Sequence, residues 1–580
     1  MSEFAKLQAR NKLFNDPKLG AGNFLFKAHA AYGGGDEDFL FLEKPYVGPS
    51  GAAYQAFSLS SLFLAVRDLA AWYQHQGIRA GRRVCLYLGD GIPSFLHFLA
   101  LGSLGCIPVL INGHLRADLA NSYAQRNGFD VFIYDQETNA RWNLADILKS
   151  LSVFNAGFVQ GTAVPLDTPV IQDWPVTVSD PDIVMICHSS GTTGIPKAVL
   201  FGHAQFFNGK RERLLGFIEQ AEDKLATAMP PTHAAGVSYL MTAVLLQLPT
   251  LALATQTGIV AANLIAGFQP SIITAFPQSY ASFAELDLPD GYFRSVQRFY
   301  NTGDTAHEAH IRQLLRLAPN GRFTDMFGAS ELGMSQFFKV STADKVATKR
   351  TVGPAAAYAH CAILSPQGEA LAEGVPGYIG VRSPTVTPGY YGQPHLTALT
   401  TLNGYWLTGD IGLRQDDGEF IHLDRIVDVV PTSFGEPAYT LLLEEHMLRR
   451  PKIFDVSVTG VSRGPTREEA VLILVRGAEG KTVDAEEVLR HALACYPFYG
   501  HGSLPDYTLC VGILNPNHVF PVGSTGKVLK RMLREQFWNE HRDFDEGCRE
   551  IFHALLWNQA LVAVPVSPHG PQNLCDYLRA

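Results

Sequence analysis

The eight cysteines of this 580-residue sequence, at 85, 106, 187, 361, 495, 510, 548 and 575, include no C-x-x-C pair. That excludes a disulfide framework or a closely spaced thiolate zinc site, and scattered thiols suit a reducing compartment. Charge is scarce, at 17% of residues, with a formal net charge of −9 and a pI of about 6.1. Such a balance excludes a broad nucleic-acid footprint. No G-x-S-x-G elbow occurs, so a Ser/His/Asp hydrolase of that type is set aside. No internal repeat is present. The opening Met1-Ser2-Glu3-Phe4-Ala5-Lys6 lacks a basic segment followed by an apolar one, so a secretory leader is not expected and a cytoplasmic location is. The two most apolar stretches, Phe95–Ile111 and Tyr239–Thr255, are short for a membrane span and interrupted by Pro108 and by Gln247 and Pro249. Each reads as a buried helix running into a buried strand, leaving at most peripheral membrane contact.

What is present is apolar residue in quantity, 47% of the chain, on a length sufficient for two or more domains. Leu59, Leu62, Phe63, Val66, Leu69, Ala70 and Tyr73 recur at helical spacing, and Gly77 ends that element. Arg83–Leu88 then reads as a strand, Ser94–Leu104 as a helix and Ile107–Asn112 as a strand, and the rhythm returns through Leu225–Met229, Val237–Gln247, Thr250–Ala254 and Ile272–Phe276. Helices alternating with short apolar strands predict an α/β fold with largely parallel sheets. From Gly353 onward the turn clusters Pro366-Gln367-Gly368, Gly374-Val375-Pro376-Gly377 and Asp416-Asp417-Gly418-Glu419 predict a small β subdomain.

Between the apolar run Ile183–Cys187 and the strand-like Ala198–Phe201 stands Ser189-Ser190-Gly191-Thr192-Thr193-Gly194-Ile195-Pro196-Lys197. Four hydroxyls, two glycines and a lysine in nine residues make an anion cradle: glycine admits close backbone approach, hydroxyls donate, and lysine supplies a mobile charge. The stretch is not a P-loop, because the lysine follows a proline and a strand follows the lysine. It reads as a loop between two strands that holds a nucleoside triphosphate tail.

This stretch resembles the core signature of the adenylate-forming enzymes: acyl-CoA synthetases, luciferases and peptide-synthetase adenylation domains. Four further elements follow in that family's order: Met326-Phe327-Gly328-Ala329-Ser330-Glu331, Thr408-Gly409-Asp410, Asp424-Arg425, and Pro521–Lys527 with its Gly526-Lys527 pair. The resemblance implies ATP-dependent activation of a carboxylic acid to an acyl-adenylate, with pyrophosphate released, then transfer to a thiol. It assigns Ser189, Ser190, Gly191, Thr192, Thr193, Gly194 and Lys197 to the triphosphate, and Glu331 with Thr192 to Mg²⁺. Phe327 would stack on adenine and Asp304 of Thr302-Gly303-Asp304 would contact it, with Gly328 and Ser330 also in the nucleotide site. Asp410 would take the ribose hydroxyls, and Arg425 would bridge ribose and phosphate. His233, in Pro230–Gly236, would stand beside the carboxylate pocket, and Lys527 would stabilise charge growing at the α-phosphate. Lys530 and Arg531, outside the Gly-Lys pair, are expected to be solvated.

The resemblance also implies an N-terminal AMP-binding domain over 1–423, a small mobile α+β domain over 424–540, and an extension of unknown role over 541–580. Leu110-Ile111-Asn112-Gly113-His114-Leu115-Arg116 is similar to a stretch of the very-long-chain acyl-CoA synthetases and fatty-acid transport proteins, which implies a fatty acid, with the aliphatic residues of 236–276 lining a tunnel. Val427 and Val430–Gly435 depart from that branch where the family's pantetheine route lies. The acceptor therefore stays open between coenzyme A, the phosphopantetheine of an acyl carrier protein, and an amine. A non-catalytic descendant that binds acyl or nucleotide ligands is the rival of another class, and the retained charges of Lys197, Glu331, Asp410, Arg425 and Lys527 argue against it.

Overall fold

The computed structural model describes residues 3–129, 131–144, 152–156, 173–189, 196–216, 223–346, 350–430, 439–463, 468–478, 480–495, 507–515, 520–521, 528–537 and 556–565. Two mostly parallel sheets dominate it. The first runs Ser152–Asn155, Val131–Tyr134, Arg83–Leu88, Ile107–Asn112, Ile183–His188 and Ala198–Gly202, all neighbours parallel except the last pair. The second runs Phe337–Ser341, Arg322–Phe327, Arg298–Thr302, Ile272–Ala275, Leu225–Thr227, Thr250–Ala252, Leu40–Val47 and Ala53–Phe57, with antiparallel strands only at its two edges. Strands Leu225–Thr227, Thr250–Ala252 and Ile272–Ala275 are buried throughout, and Arg83–Leu88 is after its first residue. Strands of that kind need cover on both faces, which is why the apolar runs do not alternate.

Helix Leu59–His75 supplies part of that cover. Ser58 caps it, accepting from the Ser61 amide at 3.1 Å while Ser61 Oγ accepts from the Ser58 amide at 2.9 Å. Its face of Leu59, Leu62, Val66, Leu69, Ala70 and Tyr73 is fully buried. The two apolar stretches tested as spans are helix Pro93–Ser103 leading into Ile107–Asn112 and helix Ala234–Leu246 leading into Thr250–Ala252, buried in the core. Among the described residues no helix is long and apolar enough to cross a membrane.

A smaller antiparallel sheet follows, in the order Thr351–Gly353, Phe420–Arg425, Tyr405–Arg414, Gly377–Arg382 and His360–Leu364. The last sheet pairs Ile453–Arg463, Glu468–Gly477 and Tyr507–Leu514, with a core that includes Met447, Val458, Ile473, Leu489 and Val511. Residues 556–565 lie within the stretch expected as an extension of unknown role. They form this sheet's fourth strand, antiparallel to Tyr507–Leu514. The Leu561-Val562-Ala563-Val564 run suits a strand, and Pro565 falls where an edge tolerates a residue without an N–H. A large N-terminal α/β part and a smaller C-terminal part thus make up the chain.

Candidate active site

Four parallel strands end on residues that converge. Asn112, His188, Thr302 and Phe327 are the last residues of their strands, and ligands of open α/β sheets bind beyond those carboxyl ends. Strands Ile183–His188 and Ala198–Gly202 pair antiparallel with His188 opposite Ala198, so residues 189–197 do join two strands of one sheet. The neck of that connection is closed twice: the Ser189 amide donates to the Lys197 carbonyl at 2.9 Å, and the Lys197 amide donates to Ser189 Oγ at 3.0 Å. Ser190, Gly191, Thr192, Thr193 and Gly194 lie outside the described residues.

Segment 387–391 runs beside strand Ala198–Gly202, with Tyr391 N donating to Ala198 O at 2.8 Å and Leu200 N to Gly389 O at 3.0 Å. It carries Tyr390 to two of the expected site residues. The Tyr390 hydroxyl donates to Glu331 Oε1 at 2.9 Å, and Lys197 Nζ sits 5.0 Å from the centre of its ring. Burial, reinforced by the Glu331 charge, raises the phenol above its usual range, so the hydroxyl stays a donor at neutral pH. Sequence reasoning missed Tyr390. Its only signal was Pro388-Gly389-Tyr390-Tyr391, which reads as a turn.

Asp410 and Arg425 are cross-strand partners in the small sheet, and Arg425 Nε lies 2.9 Å from Asp410 Oδ1 as an ion pair rather than an aligned hydrogen bond. Gly409, at φ +83°, makes the bend before Asp410, a conformation that other residues adopt with strain. His422 Nε2 stands 3.3 Å from the same Asp410 oxygen, and the His422 ring tilts against Phe327 at 5.2 Å. Phe327 also meets Phe337 edge-on at 5.7 Å, so one side of its ring is spent on packing. Gly303, Asp304, Phe327, Gly328 and His422 line one cleft of about 410 Å³. Asp325 and Lys339 also line it, as a buried ion pair that the motifs did not announce, Lys339 Nζ to Asp325 Oδ2 at 3.1 Å.

An adjoining cleft of about 710 Å³ is lined by His233, Ser238, Tyr239, Phe276, Ser330 and Met334, among others. At Gly328, between the clefts, an added Cβ would lie 2.9 Å from Ser335 Cα, so only glycine fits that turn unaltered. His233 immediately precedes helix Ala234–Leu246 and packs edge-on to Phe276 at 5.3 Å. Burial, with a smaller effect of His188, pushes its pKa down to about 3, so the ring is neutral under ordinary conditions. The aliphatic residues expected to line a tunnel are otherwise engaged: Val237, Leu240, Met241, Val244 and Leu245 are fully or almost fully buried in the main core.

Lys527 lies outside the described residues, but the base of its loop does not: Leu529 N donates to Pro521 O at 2.7 Å, pinning the two ends of 522–528 together. The expectation that Lys530 is solvated is corrected. It is buried, with Nζ donating to Thr440 Oγ1 at 2.7 Å and paired with Glu444 Oε1 at 2.9 Å. Thr440 in turn donates through both its amide and its hydroxyl to Asp424, the residue before Arg425. Arg534 joins Asp428 at 3.1 Å, so two turns of helix Lys530–Phe537 tie the lysine-bearing loop to segment 424–428. Helix packing favoured this outcome over a solvated lysine, because one face of Lys530–Phe537 must lie against the sheet.

A cleft at the strand ends, a hydroxyl-rich sequence between two strands, and a carboxylate–arginine pair on the small antiparallel sheet together point to the adenylate-forming class. The chain belongs to the AMP-binding enzyme family, whose profile matches residues 35–391. It is 32% identical over 571 residues to a 3-aminoavenalumate diazotase of Streptomyces sp, covering 92% of this chain and 99% of that one. It is 24% identical over 477 residues to the long-chain-fatty-acid–CoA ligase FadD13 of Mycobacterium tuberculosis, covering 80% and 89%. Its fold is similar to that of ATP-bound MatB from Rhodopseudomonas palustris, with a TM-score of 0.74 at 18% identity over 90% of this chain and 100% of that one.

Proposed function

We propose that this chain spends ATP to adenylate a small oxyanion, nitrite, and that an aromatic amine consumes the adenylate, giving a diazonium product. The single observation carrying this reading is the end-to-end likeness to a relative named a diazotase. Two features of the chain support it. The cleft beside His233 is walled by Tyr239, Phe276 and Met334, which suits a planar aromatic ring. The sequence over 427–435 departs from the family pattern along the pantetheine route, as an acceptor other than a thiol would permit.

In the first half-reaction a nitrite oxygen attacks the α-phosphorus of ATP and pyrophosphate leaves. Such a displacement needs alignment and charge neutralisation more than a protein nucleophile. Thr192, Thr193 and Lys197 are proposed to hold the β- and γ-phosphates, Asp410 and Arg425 the ribose, Phe327, Gly328 and Asp304 the adenine, and Lys527 the charge at the α-phosphate. Mg²⁺ would be held by Glu331 and Thr192. Among the described residues no cluster of three or more His, Cys, Asp or Glu could hold a metal alone. Mg²⁺ suits a lone carboxylate of this kind, because it keeps waters and takes substrate phosphate oxygens for the rest of its shell. When bound it would neutralise triphosphate charge. In the second half-reaction the amine nitrogen attacks the nitrosyl nitrogen, the bond to the AMP oxygen breaks, and one proton is released. The resulting N-nitrosamine then takes a proton on oxygen and loses water to leave the diazonium ion.

The test is a pyrophosphate-release screen with nitrite and aminobenzoates or aminocinnamates, the product captured by coupling to a naphthol. Nitrite-dependent pyrophosphate and a coloured azo product are expected. Pyrophosphate release that requires a carboxylic acid instead, with a thioester formed on adding coenzyme A, would sink the proposal. That outcome is the second reading, favoured by the FadD13 likeness and by the Leu110–Arg116 stretch: ligation of an acid, such as a fatty acid, to coenzyme A or to a carrier-protein phosphopantetheine. Both readings share one expectation. Tyr390→Phe removes the donor on Glu331 while keeping the ring near Lys197, so pyrophosphate release should slow by about five- to tenfold and half-saturation by Mg²⁺ should rise. Initial rates over a Mg²⁺ titration measure both.

A further inference from the structure

One buried and one partly buried histidine, from different elements, meet one asparagine beside the cleft that His233 lines. Asn112 ends strand Ile107–Asn112, His188 ends Ile183–His188 immediately before the hydroxyl-rich loop, and His233 precedes helix Ala234–Leu246. The His188 and His233 rings lie 5.8 Å apart, edge to face. All three side chains are at least partly buried, Asn112 and His188 almost completely.

The hydrogen bonds fix where the protons are. Asn112 Oδ1 accepts from the His114 amide at 2.8 Å, so the other end of the Asn112 side chain is the NH₂ group. An NH₂ group has only donors to offer. Asn112 Nδ2 lies 3.1 Å from His233 Nε2, which must therefore be the acceptor and carry no proton. A neutral imidazole with a bare Nε2 carries its proton on Nδ1. The same residue orders the second ring through its backbone: the Asn112 amide donates to His188 Nε2 at 3.1 Å, and His188 Nδ1 donates to Ser189 O at 2.9 Å. Burial lowers the pKa of both rings, so neither is forced into the imidazolium form that would erase the distinction.

From this geometry we infer that Asn112 is a positioning residue: it holds His233 as the Nδ1–H tautomer, so that the His233 nitrogen left to a ligand in the cleft is a donor, selective for a substrate oxygen. His233 lines that cleft, and Nε2 is already engaged, which leaves Nδ1–H for whatever enters. An oxyanion gains a charge-assisted hydrogen bond there, a stronger one than the weakly basic nitrogen of a neutral arylamine accepts. The inference rests on the adenylation half of the proposed function and deepens it: the atom this site recognises is an acceptor oxygen, of nitrite or of a carboxylate.

The test uses full-length protein labelled with ¹⁵N-histidine and long-range proton–nitrogen correlation spectra, with His233→Gln to assign the signals. His233 is expected to show a protonated Nδ1 and an unprotonated Nε2 at neutral pH. A proton on Nε2, or on both nitrogens, overturns the inference without reference to any substrate. The second arm is Asn112→Asp, which keeps an acceptor for the His114 amide and puts an acceptor where His233 now finds a donor. Its His233 signal should move to Nε2–H, and KM for nitrite in ATP–pyrophosphate exchange should rise about tenfold or more while KM for ATP stays within about twofold. Where nitrite supports no exchange, 4-coumarate is the probe. Equal losses for acid and ATP would mean a structural role only and would also overturn it. Because no amine is present in the exchange reaction, failure of the diazonium assay and failure of this inference are separate results. If Asn112→Asp does not fold, the spectrum of the unmodified protein still decides.

Discussion

Lys527→Ala is expected to slow adenylation by about two or more orders of magnitude while leaving ATP affinity nearly intact. Charge grows on the α-phosphate oxygens only as the new bond forms, so a cation aimed there acts on the transition state and little on bound ATP. Lys527 is suited to that task by its setting. It follows Gly526 in the sequence, and the described residues on either side of 522–527 are joined by the Leu529–Pro521 hydrogen bond. Single-turnover pyrophosphate release, set beside ATP binding by calorimetry, measures the two quantities separately. Weakened ATP binding with an unchanged single-turnover rate would remove Lys527 from this role.

Lys530→Ala, three residues on, should fail differently. Its ammonium is buried between Thr440 Oγ1 and Glu444, and Glu444 also accepts from the Val458 amide at 2.8 Å. Burial acts to lower the lysine pKa, but the Glu444 and Asp424 carboxylates outweigh it and the net shift is upward, so the charge persists through neutral pH. Removing one member of a buried pair leaves the other uncompensated, at a cost of about 3–5 kcal/mol. Chemical denaturation should show that loss in the C-terminal part. The double variant Lys530→Met with Glu444→Gln should recover most of it, since Gln still accepts from Val458 and Asp424 keeps its hydrogen bonds from Thr440. A loss below about 1 kcal/mol for Lys530→Ala would mean the pair is solvated. The role proposed for Lys527 is thus chemical and that of Lys530 is anchorage, and rate and stability tell them apart.

That division was not legible in the sequence. The Gly526-Lys527 pair marks itself by composition, whereas Lys530 looks like any surface lysine at the start of a polar helix. Its burial depends on Glu444, Thr440 and Asp424 arriving from other elements. Tyr390 was hidden for the same reason, because it reaches Glu331 and Lys197 only when segment 387–391 settles beside strand Ala198–Gly202. The strand edges were far easier. Arg83–Leu88 and Ile107–Asn112 fall where the apolar runs place them, since buried parallel strands must be apolar throughout. The edge strand Leu556–Pro565 had the composition of a strand, yet nothing near it in the chain indicated the Tyr507–Leu514 edge it pairs with.

Taken alone, the sequence determined the α/β class, the loop between strands at 189–197, and the ordered set of cations and carboxylates, because these follow from local patterns of apolarity, glycine and charge. Tertiary structure alone decided which of those groups meet: Arg425 with Asp410, Tyr390 with Glu331, and Asn112 between His188 and His233. The physical reason is range. Periodicity and turn chemistry act over a few residues, whereas the proton on His233 is set by a hydrogen bond from a strand far away in the chain, formed only when two sheets close on one another.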